Sequence, residues 1–341
     1  MKLIAYSFSE LGGKLGDELQ SIEELNLTHR RSSEIGKKVS QDLKDTFYEY
    51  DGLIFIGATG IAVRLIAPFI KHKIKDPAIL CIDDKKRYVI SLLSGHLGGA
   101  NELTNLVAEK IGATPIITTA SDNRGIESID MFAKRFDYHM QNMQMITEVT
   151  RQMVDGEKIY FYSEDIDKNI INYDNLVIVD DINKIDKNSS NIKGAILVSS
   201  ELLNIEDYPN FPVAILRPKN INIGIGSRKD IDGEKVINAI KDLFKELNIS
   251  TKSINSFGTV EVKKNEKGIL EAVKYFDSKI KIFSLEEIKK VDYKFNKSEF
   301  VKKTIGVYSV AEPSAYLLGG EFISMRTTHD GITLSVTREA Y

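Results

Sequence analysis

The sequence has few of the residues on which several protein classes depend. It has a single cysteine, Cys81, in 341 residues, and no tryptophan. One cysteine excludes an internal disulfide and suits a reducing compartment, so we expect a cytoplasmic protein. The cysteine lies in the apolar run AILCI, which predicts a buried core thiol and not a reactive nucleophile.

Long apolar segments and an excess of one charge are also missing. Apolar runs such as residues 53–56 are far shorter than the roughly 20 residues that cross a bilayer. The 46 basic and 49 acidic residues give a net charge of -3, which provides no general attraction to nucleic acid or to an anionic membrane. We therefore expect neither partner. The five histidines have no paired metal-ligand spacing, so we expect no protein metal site.

Alternating strand and helix patterns predict a multidomain α/β protein. We expect three domains, over residues 1–136, 137–217 and 218–341. The first is an α/β sheet domain with glycine-rich strand-to-helix turns, the second is a small α/β domain, and the third is again α/β. In the third domain, Ser284 and Glu287 have the spacing of a capping box, which predicts a helix start.

Apolar runs predict the strands of the first domain. We expect them over residues 2–7, 51–57, 78–83, 87–93 and 115–119. The charged residues 84–86 join the third of these strands to the fourth, which indicates a hairpin or a short loop. A helical stripe starts at Ala100 and ends at Gly112, a good position for a left-handed cap.

Three turns of the first domain each stand between a predicted strand and a predicted helix. Their sequences are GATG at 57–60, SGHLGGAN at 94–101 and TTASDN at 118–123. Glycine lets backbone N–H groups approach a ligand, and a helix start favours anions. If the strands are parallel neighbours, the turns converge outside their carboxyl ends. The turns therefore predict one crevice for phosphate or carboxylate.

These turns supply the candidate binding residues of the first domain. The set is Gly57, Thr59, Gly60, Arg64, Ser94, Gly95, Gly98, Gly99, Asn101, Thr118 and Thr119. Arg64 suits a bidentate contact with a carboxylate, with a surface salt bridge as the alternative. His96 lies in a glycine-rich turn and can exchange a proton near neutral pH, with a loop-ordering hydrogen bond as the alternative. For Asp122, helix capping is a sufficient explanation.

The third domain carries weaker signals. Ser227 and Arg228, in the segment GIGSRK, predict a second anion-binding turn. Glu312 precedes Pro313 at a predicted helix start, where a negative charge is favourable. The sequence contains no GxSxG, GxxxxGK[ST] or GxGxxG motif.

Taken together, these segments resemble the CbiG family of anaerobic cobalamin biosynthesis. GATGIAVRLIAP, KDPA, SLLSGHLGGANEL and TTASDN follow in the family's order over residues 51–123, and GIGSRK, VAEPSA and a final SVT continue it. The chain departs from the family pattern at Ser227, where cysteine is frequent, and at Arg326, where lysine is common. Serine argues against a thiol nucleophile at that turn, and arginine changes the geometry of any contact.

The resemblance implies a cobalt-precorrin-5A hydrolase. Such an enzyme opens the δ-lactone of a cobalt-bearing tetrapyrrole and releases acetaldehyde, giving cobalt-precorrin-5B. Cobalt arrives with the substrate, so no cofactor is implied. His96 and Asp122 become the candidate catalytic residues, while Ser227, Arg228 and Glu312 become corrinoid contacts of the third domain. We also expect transient contacts with neighbouring pathway enzymes, whereas no oligomeric state follows.

Two other functions fit the residues. A non-catalytic corrinoid carrier would use the same carboxylate-binding turns without needing His96. A sugar-phosphate or nucleotide enzyme would use the three turns to hold phosphate.

Overall fold

The computed structural model describes residues 1–72, 75–120, 124–164 and 170–340. The chain divides into two compact units, unit 1 (Met1–Met131) and unit 2 (Phe132–Tyr341). Sheets flanked by helices in both units confirm the α/β class. The division into three domains stays a prediction.

Unit 1 is built on a six-stranded sheet. Its strands are β1 Leu3–Ser7, β2 Leu27–Arg31, β3 Gly52–Ile56, β4 Ala78–Ile82, β5 Tyr88–Leu93 and β6 Thr114–Ile116. Their order across the sheet is β2-β1-β3-β4-β5-β6. The first four strands are mutually parallel, whereas β5 runs antiparallel to β4, and β6 runs parallel to β5.

Helices cover both faces of this sheet. They are α1 Glu10–Gln20, α2 Val39–Thr46, α3 Thr59–Ile66 and α4 Ala100–Ile111. A further helix, α5 Ile129–Arg135, crosses the boundary between the two units. Side chains of α1 and α4, such as Leu19 and Val107, pack with one face, and those of α2 and α3, such as Leu43 and Ile66, pack with the other. Burial on both faces explains why β1, β3 and β4 are continuous apolar runs.

The predicted end of α4 is confirmed, because Gly112 has a φ of 68° and caps the helix in the left-handed conformation. The predicted strand 115–119 is wrong in its second half. Since β6 ends at Ile116, Thr118 and Thr119 lie in the segment that follows it.

Helix α1 was not predicted, because its three glycines have low helix propensity. A glycine is needed at one of them. A Cβ on Gly16 would lie 2.2 Å from Nε2 of His29, so this position leaves room for the imidazole ring.

Unit 2 contains two five-stranded sheets. The strands of the first are β7 His139–Met140, β8 Ile159–Ser163, β9 Leu176–Val179, β10 Gly194–Val198 and β11 Val213–Arg217. Their order is β7-β11-β10-β8-β9, and only β7 is antiparallel to its neighbour. Helix α6 (Met143–Val154) packs against this sheet.

The second sheet of unit 2 has the order β14-β13-β12-β16-β15. Its strands are β12 Ile221–Ser227, β13 Ile254–Val260, β14 Lys279–Phe283, β15 Glu321–His329 and β16 Ile332–Arg338. The helices are α7 Gly233–Glu246, α8 Lys267–Tyr275, α9 Leu285–Lys289, α10 Glu299–Ile305 and α11 Ala311–Leu318. The capping box of Ser284 and Glu287 at the start of α9 is confirmed.

No helix in the described part of the chain is both long and apolar enough to pass through a bilayer.

Close contact between α11 and β12 depends on Gly224. A Cβ at this position would lie 1.9 Å from the carbonyl oxygen of Ala311 and 2.5 Å from the backbone nitrogen of Ala315. Both atoms belong to the backbone of α11, so a side chain can fit only if the helix moves. We expect Gly224→Ala to lower the free energy of unfolding by about 1–3 kcal/mol or more, as overpacking does, measured by urea denaturation.

Gly226 on the same strand provides the matched control. A Cβ there would meet Val310 no closer than 3.4 Å, which is ordinary contact. Gly226→Ala should change the unfolding free energy by less than about 1 kcal/mol. Equal effects of the two substitutions would contradict this account of the packing.

Candidate active site

The described parts of the three turns of unit 1 do not all converge, because the first lies at the opposite edge of the sheet from the other two, and the predicted single crevice is wrong. Gly57 follows Ile56, which pairs with Ile82 at the end of β4. The second turn follows Leu93, which pairs with Ile79 near the start of β4. Because β5 is antiparallel to β4, the carboxyl ends of β3 and β5 lie at opposite edges of the sheet.

We call these two places the Gly57 edge, where β1, β3 and β4 end, and the His96 edge, where β5 and β6 end. The segment 118–120 follows β6, which is parallel to β5, and therefore lies on the same side as His96. The physical reason for the split is the turn at residues 84–86, where Lys86 adopts a φ of 61° and the chain reverses.

The Gly57 edge presents a helix start with little side-chain chemistry. Thr59 and Gly60 are exposed in the first turn of α3. Arg64 is exposed, and its Nη1 donates to the carbonyl oxygen of Gly60 at 3.1 Å, so it contacts its own helix. Cys81 lies beneath this turn, and burial raises its pKa to about 11. The thiol is therefore protonated at neutral pH, as expected for a core cysteine.

The His96 edge holds a chain of polar side chains around the histidine. Nδ1 of His96 lies 3.2 Å from Oγ of Ser128 and 3.6 Å from Oδ1 of Asp130. Oγ of Ser128 donates to the same Oδ1 at 2.5 Å. The side chains of His96 and Asp130 are 16% and 11% exposed, so water screens their interaction weakly. The imidazole thus reaches the surface from an acidic and largely buried environment.

Ser128 and Asp130 were missed by sequence reasoning. Both lie within the helix expected after Asp122, where polar residues between the apolar positions are normally exposed to solvent. Nothing in that pattern points to His96. Asp122, the second candidate catalytic residue, lies outside the described residues.

The loop that carries His96 is folded by its own backbone. Ser94 has a φ of 60°, and its carbonyl accepts from the N–H of Ala100 at 3.1 Å. The N–H of Gly99 donates to the carbonyl of His96 at 2.9 Å, and the N–H of Asn101 donates to that of Gly95 at 3.0 Å. An anion cradle was expected here, but these three N–H groups already have partners.

The glycines of this loop provide close packing. A Cβ on Gly95 would lie 2.7 Å from Oδ1 of Asn101, and one on Gly98 would lie 2.8 Å from the carbonyl oxygen of Ser94. The hydroxyl of Ser94 donates to the carbonyl of Asp76 at 3.0 Å. The loop is therefore held tightly against the sheet, and His96 has a defined position.

Asn101 links the loop to both neighbouring segments. Its buried amide oxygen accepts from Oγ of Ser91 at 2.6 Å, and its Nδ2 donates to Oγ1 of Thr119 at 3.0 Å. Thr119 is thereby brought to the His96 loop, whereas Thr118 is exposed. Asn101 acts here as a structural bridge.

A polar cavity of about 270 Å³ adjoins this loop at Gly98. Tyr48, Tyr50 and Lys75 are among its lining residues. Desolvation and a 3.1 Å hydrogen bond to Asp76 raise the pKa of the Tyr48 hydroxyl, which therefore remains a donor. The cavity thus places Lys75, two tyrosines and the carboxylates of Asp51 and Asp76 next to the His96 loop.

Unit 2 has a larger cavity of about 440 Å³, which we call the C-terminal cavity. Its cationic lining residues are Arg228, Lys229, Lys263 and Arg326. Ser227 also lines it, and its buried Oγ has no hydrogen-bond partner among the described residues. The predicted anion-binding turn is thus one wall of a positively charged cavity. Lys263 and Arg326 were not predicted as contacts.

Glu312 lies behind this cavity. Its side chain is 2% exposed, its carboxylate accepts from the hydroxyl of Ser309, and its Oε1 lies 3.9 Å from Nη1 of Arg326. Arg326 is 35% exposed and lines the cavity. This burial favours a role for Glu312 in orienting Arg326 over direct contact with a ligand.

Within the described ranges, no group of three histidine, cysteine or acidic side chains is arranged to hold a metal ion. The side chains at the two places offer proton transfer at His96 and carboxylate binding by the cations of the C-terminal cavity.

Comparison with known families gives matches along most of the chain. The cobalamin synthesis G N-terminal family matches residues 41–122, the cobalamin biosynthesis central region matches 127–218, and the cobalamin synthesis G C-terminus matches 221–337.

Three curated proteins are similar over most of their length. The cobalt-precorrin-5A hydrolase of Priestia megaterium is 36% identical over 82% of this chain and 75% of that protein. The cobalt-precorrin-5A hydrolase of Salmonella typhimurium is 32% identical over 86% of this chain and 83% of that protein. The probable cobalt-precorrin-5A hydrolase of Methanocaldococcus jannaschii is 32% identical over 83% of this chain and 86% of that protein.

The bridging role of Asn101 leads to a stability prediction. Asn101→Ala removes the partner of Ser91 and of Thr119 in a buried environment, which should lower the unfolding free energy of unit 1 by about 1–3 kcal/mol. Asn105→Ala changes an exposed residue of the same helix and should have little effect. Urea denaturation gives the unfolding free energies of both variants. Equal values would contradict the bridging role of Asn101.

Proposed function

The chain belongs to the cobalamin synthesis G family, and from this membership we propose that it is a cobalt-precorrin-5A hydrolase. The main support for this function is the similarity to two proteins of that name. One is 36% identical over 75% of its length, and the other is 32% identical over 83% of its length. The substrate is a cobalt corrinoid, whose peripheral carboxylates suit cationic cavities.

The reaction needs a base and donors for a developing negative charge. Water attacks the lactone carbonyl carbon, and the tetrahedral intermediate collapses as the bond to the ring oxygen of the lactone breaks. In this substrate the lactone joins the acetate of ring A to C20, the carbon extruded from the macrocycle. The ring oxygen takes a proton and becomes the hydroxyl of C20, while the ring A acetate is released as a carboxylate. When the hydroxyl then loses its proton, the bond between C20 and the macrocycle breaks. The bonding electrons pass into the macrocycle and acetaldehyde leaves.

We propose His96 as the base that takes the proton from water. Its loop is fixed by backbone hydrogen bonds, and the Nδ1 side of the ring faces Ser128 and Asp130. A general base must be held within hydrogen-bond reach of the proton that it removes, and a rigid loop serves this purpose. Asp122 stays a candidate for the second proton transfer, outside the described residues.

For unit 2 we propose that the C-terminal cavity binds peripheral carboxylates of the corrinoid. Arg228 and Arg326 can each form two parallel hydrogen bonds with a carboxylate, and Lys263 adds a third cation. The hydroxyl of Ser227, which has no hydrogen-bond partner in the described part of the chain, is a further donor to such a group. Lys263 is 3.0 Å from Glu266, so part of its charge is already neutralised.

Three further features belong to the same proposal. Cobalt is part of the substrate, and the protein brings no cofactor of its own. The protein works in the cytoplasm, which a single buried cysteine supports. Contacts with enzymes that supply its substrate or consume its product are transient.

The function is tested with purified protein and cobalt-precorrin-5A, by trapping acetaldehyde with alcohol dehydrogenase and NADH. We expect one acetaldehyde per substrate consumed. His96→Gln should lower kcat/KM by about 10²- to 10⁴-fold, which is the usual contribution of a general base. His72→Gln, at an exposed histidine of unit 1, should retain activity.

If the wild-type protein releases no acetaldehyde, the proposed hydrolase activity is refuted, and the corrinoid carrier becomes the favoured function. Full activity of a folded His96→Gln variant would leave the function in place but remove His96 from the mechanism.

Carboxylate binding is tested at Arg326. Arg326→Gln should raise KM about 10-fold, the lower end of what a hydrogen bond to a charged group contributes, with kcat changed less. Arg326→Lys keeps the charge and should be intermediate. Lys245→Gln removes an exposed cation of α7, outside the cavity, and controls for net charge. An unchanged KM for Arg326→Gln would contradict the assignment.

A further inference from the structure

The hydrogen bonds around His96 determine which ring nitrogen carries a proton. Two contacts meet at the hydroxyl of Ser128: its Oγ lies 3.2 Å from Nδ1 of His96 and 2.5 Å from Oδ1 of Asp130. The direct separation of Nδ1 and Oδ1 is 3.6 Å, which is too long for a hydrogen bond. The hydroxyl of Ser128 is therefore the link between the ring and the carboxylate.

A count of protons gives the direction of each bond. An ionised carboxylate can only accept, so the short contact between Ser128 and Asp130 must contain the single proton of the hydroxyl. Having donated that proton, Oγ can only accept from the ring. Nδ1 must then carry a hydrogen, and a neutral imidazole with a hydrogen on Nδ1 has its lone pair on Nε2.

We propose that Ser128 and Asp130 are positioning residues that hold His96 in the tautomer whose Nε2 accepts a proton. This inference rests on the proposed function for its catalytic meaning, although the tautomer itself can be measured without substrate. Ser128 is 3% exposed, so water competes little for its hydroxyl. When His96 takes a proton, the Asp130 carboxylate stabilises the imidazolium through the hydroxyl between them.

A purely structural role predicts different behaviour. Ser128 directly precedes α5 and Asp130 lies in its first turn, where both residues stabilise a helix start. Under that explanation, replacements which preserve the helix would leave the ring of His96 unaffected. Glycine serves almost as well as serine before a helix, and it has no hydroxyl. Ser128→Gly therefore separates the two roles.

The experiment is nuclear magnetic resonance of [¹⁵N]histidine-labelled protein without substrate, at a pH where His96 is neutral. The ring nitrogen shifts report which nitrogen carries the hydrogen, and the His96→Gln spectrum assigns the signals. We expect Nδ1–H in the wild-type protein and a shift of the population towards Nε2–H in Ser128→Gly and in Asp130→Asn. Melting temperatures identify any variant that fails to fold.

The same variants are assayed for acetaldehyde release across a range of pH. Misorientation and the wrong tautomer should lower kcat about 10- to 100-fold, with a smaller effect on KM. For Asp130→Asn, the acid side of the pH profile should move to lower pH, because the lost carboxylate stabilised the protonated ring. Ser128→Thr keeps the hydroxyl and should restore the tautomer.

Other charged groups on the described segments around His96 include Glu102 on α4 and Arg124 and Glu127 before α5. Glu102→Gln is the matched control, since Glu102 is exposed in the first turn of α4. It should alter neither the tautomer nor the pH profile. If the tautomer or the pH profile of this variant changes by a similar amount, the effect is one of general electrostatics, and the proposed link through Ser128 is overturned.

A hydrogen on Nε2 in the wild-type protein overturns the inference, as does an unchanged tautomer in both Ser128→Gly and Asp130→Asn. These outcomes leave the hydrolase untouched if His96→Gln is inactive. Conversely, if His96→Gln is fully active, Ser128 and Asp130 have no catalytic role through His96, whatever tautomer the spectra show.

Discussion

The antiparallel pairing of β5 with β4 is the constraint on which the chemistry of unit 1 depends. It sends the carboxyl ends of β5 and β6 to the edge where β3 and β4 begin. His96 is therefore separated from the glycine-rich start of α3 by the length of the strands, roughly 13–17 Å for five residues. The same reversal brings the His96 loop near the polar cavity that contains Tyr48 and Lys75. The turn at residues 84–86 thus determines which side chains of unit 1 lie close enough to act together.

Local patterns explain how much of the fold could be predicted. The left-handed cap at Gly112 and the capping box at Ser284 depend on residues a few positions apart, and both are confirmed. A hairpin or a short loop was predicted at residues 84–86, and the antiparallel pairing of β4 with β5 shows that it is a hairpin. Convergence of the three turns required parallel strands throughout, and that hairpin already contradicted it. The error lay in the combination of two local predictions.

The partners of His96 could not be predicted, because they depend on contacts between distant positions. Ser128 lies 32 residues from His96, and its local environment gives it a sufficient role before α5. The C-terminal cavity is similar, since Arg326 and Ser227 come from different strands, β15 and β12. Glu312 shows the opposite case, because a charged residue at a helix start looks accessible in sequence and is buried in the structure.

The two units contribute different kinds of interaction. Cations that bind peripheral carboxylates hold them equally in the ground state and in the transition state, so they increase affinity without accelerating the chemical step. A base in a fixed tautomer acts only as the proton moves, and its contribution appears in kcat. On the proposed mechanism, the glycines of the His96 loop serve this second purpose by letting the loop pack tightly. The cationic side chains that suit the anion binding first expected of these glycines line the C-terminal cavity instead.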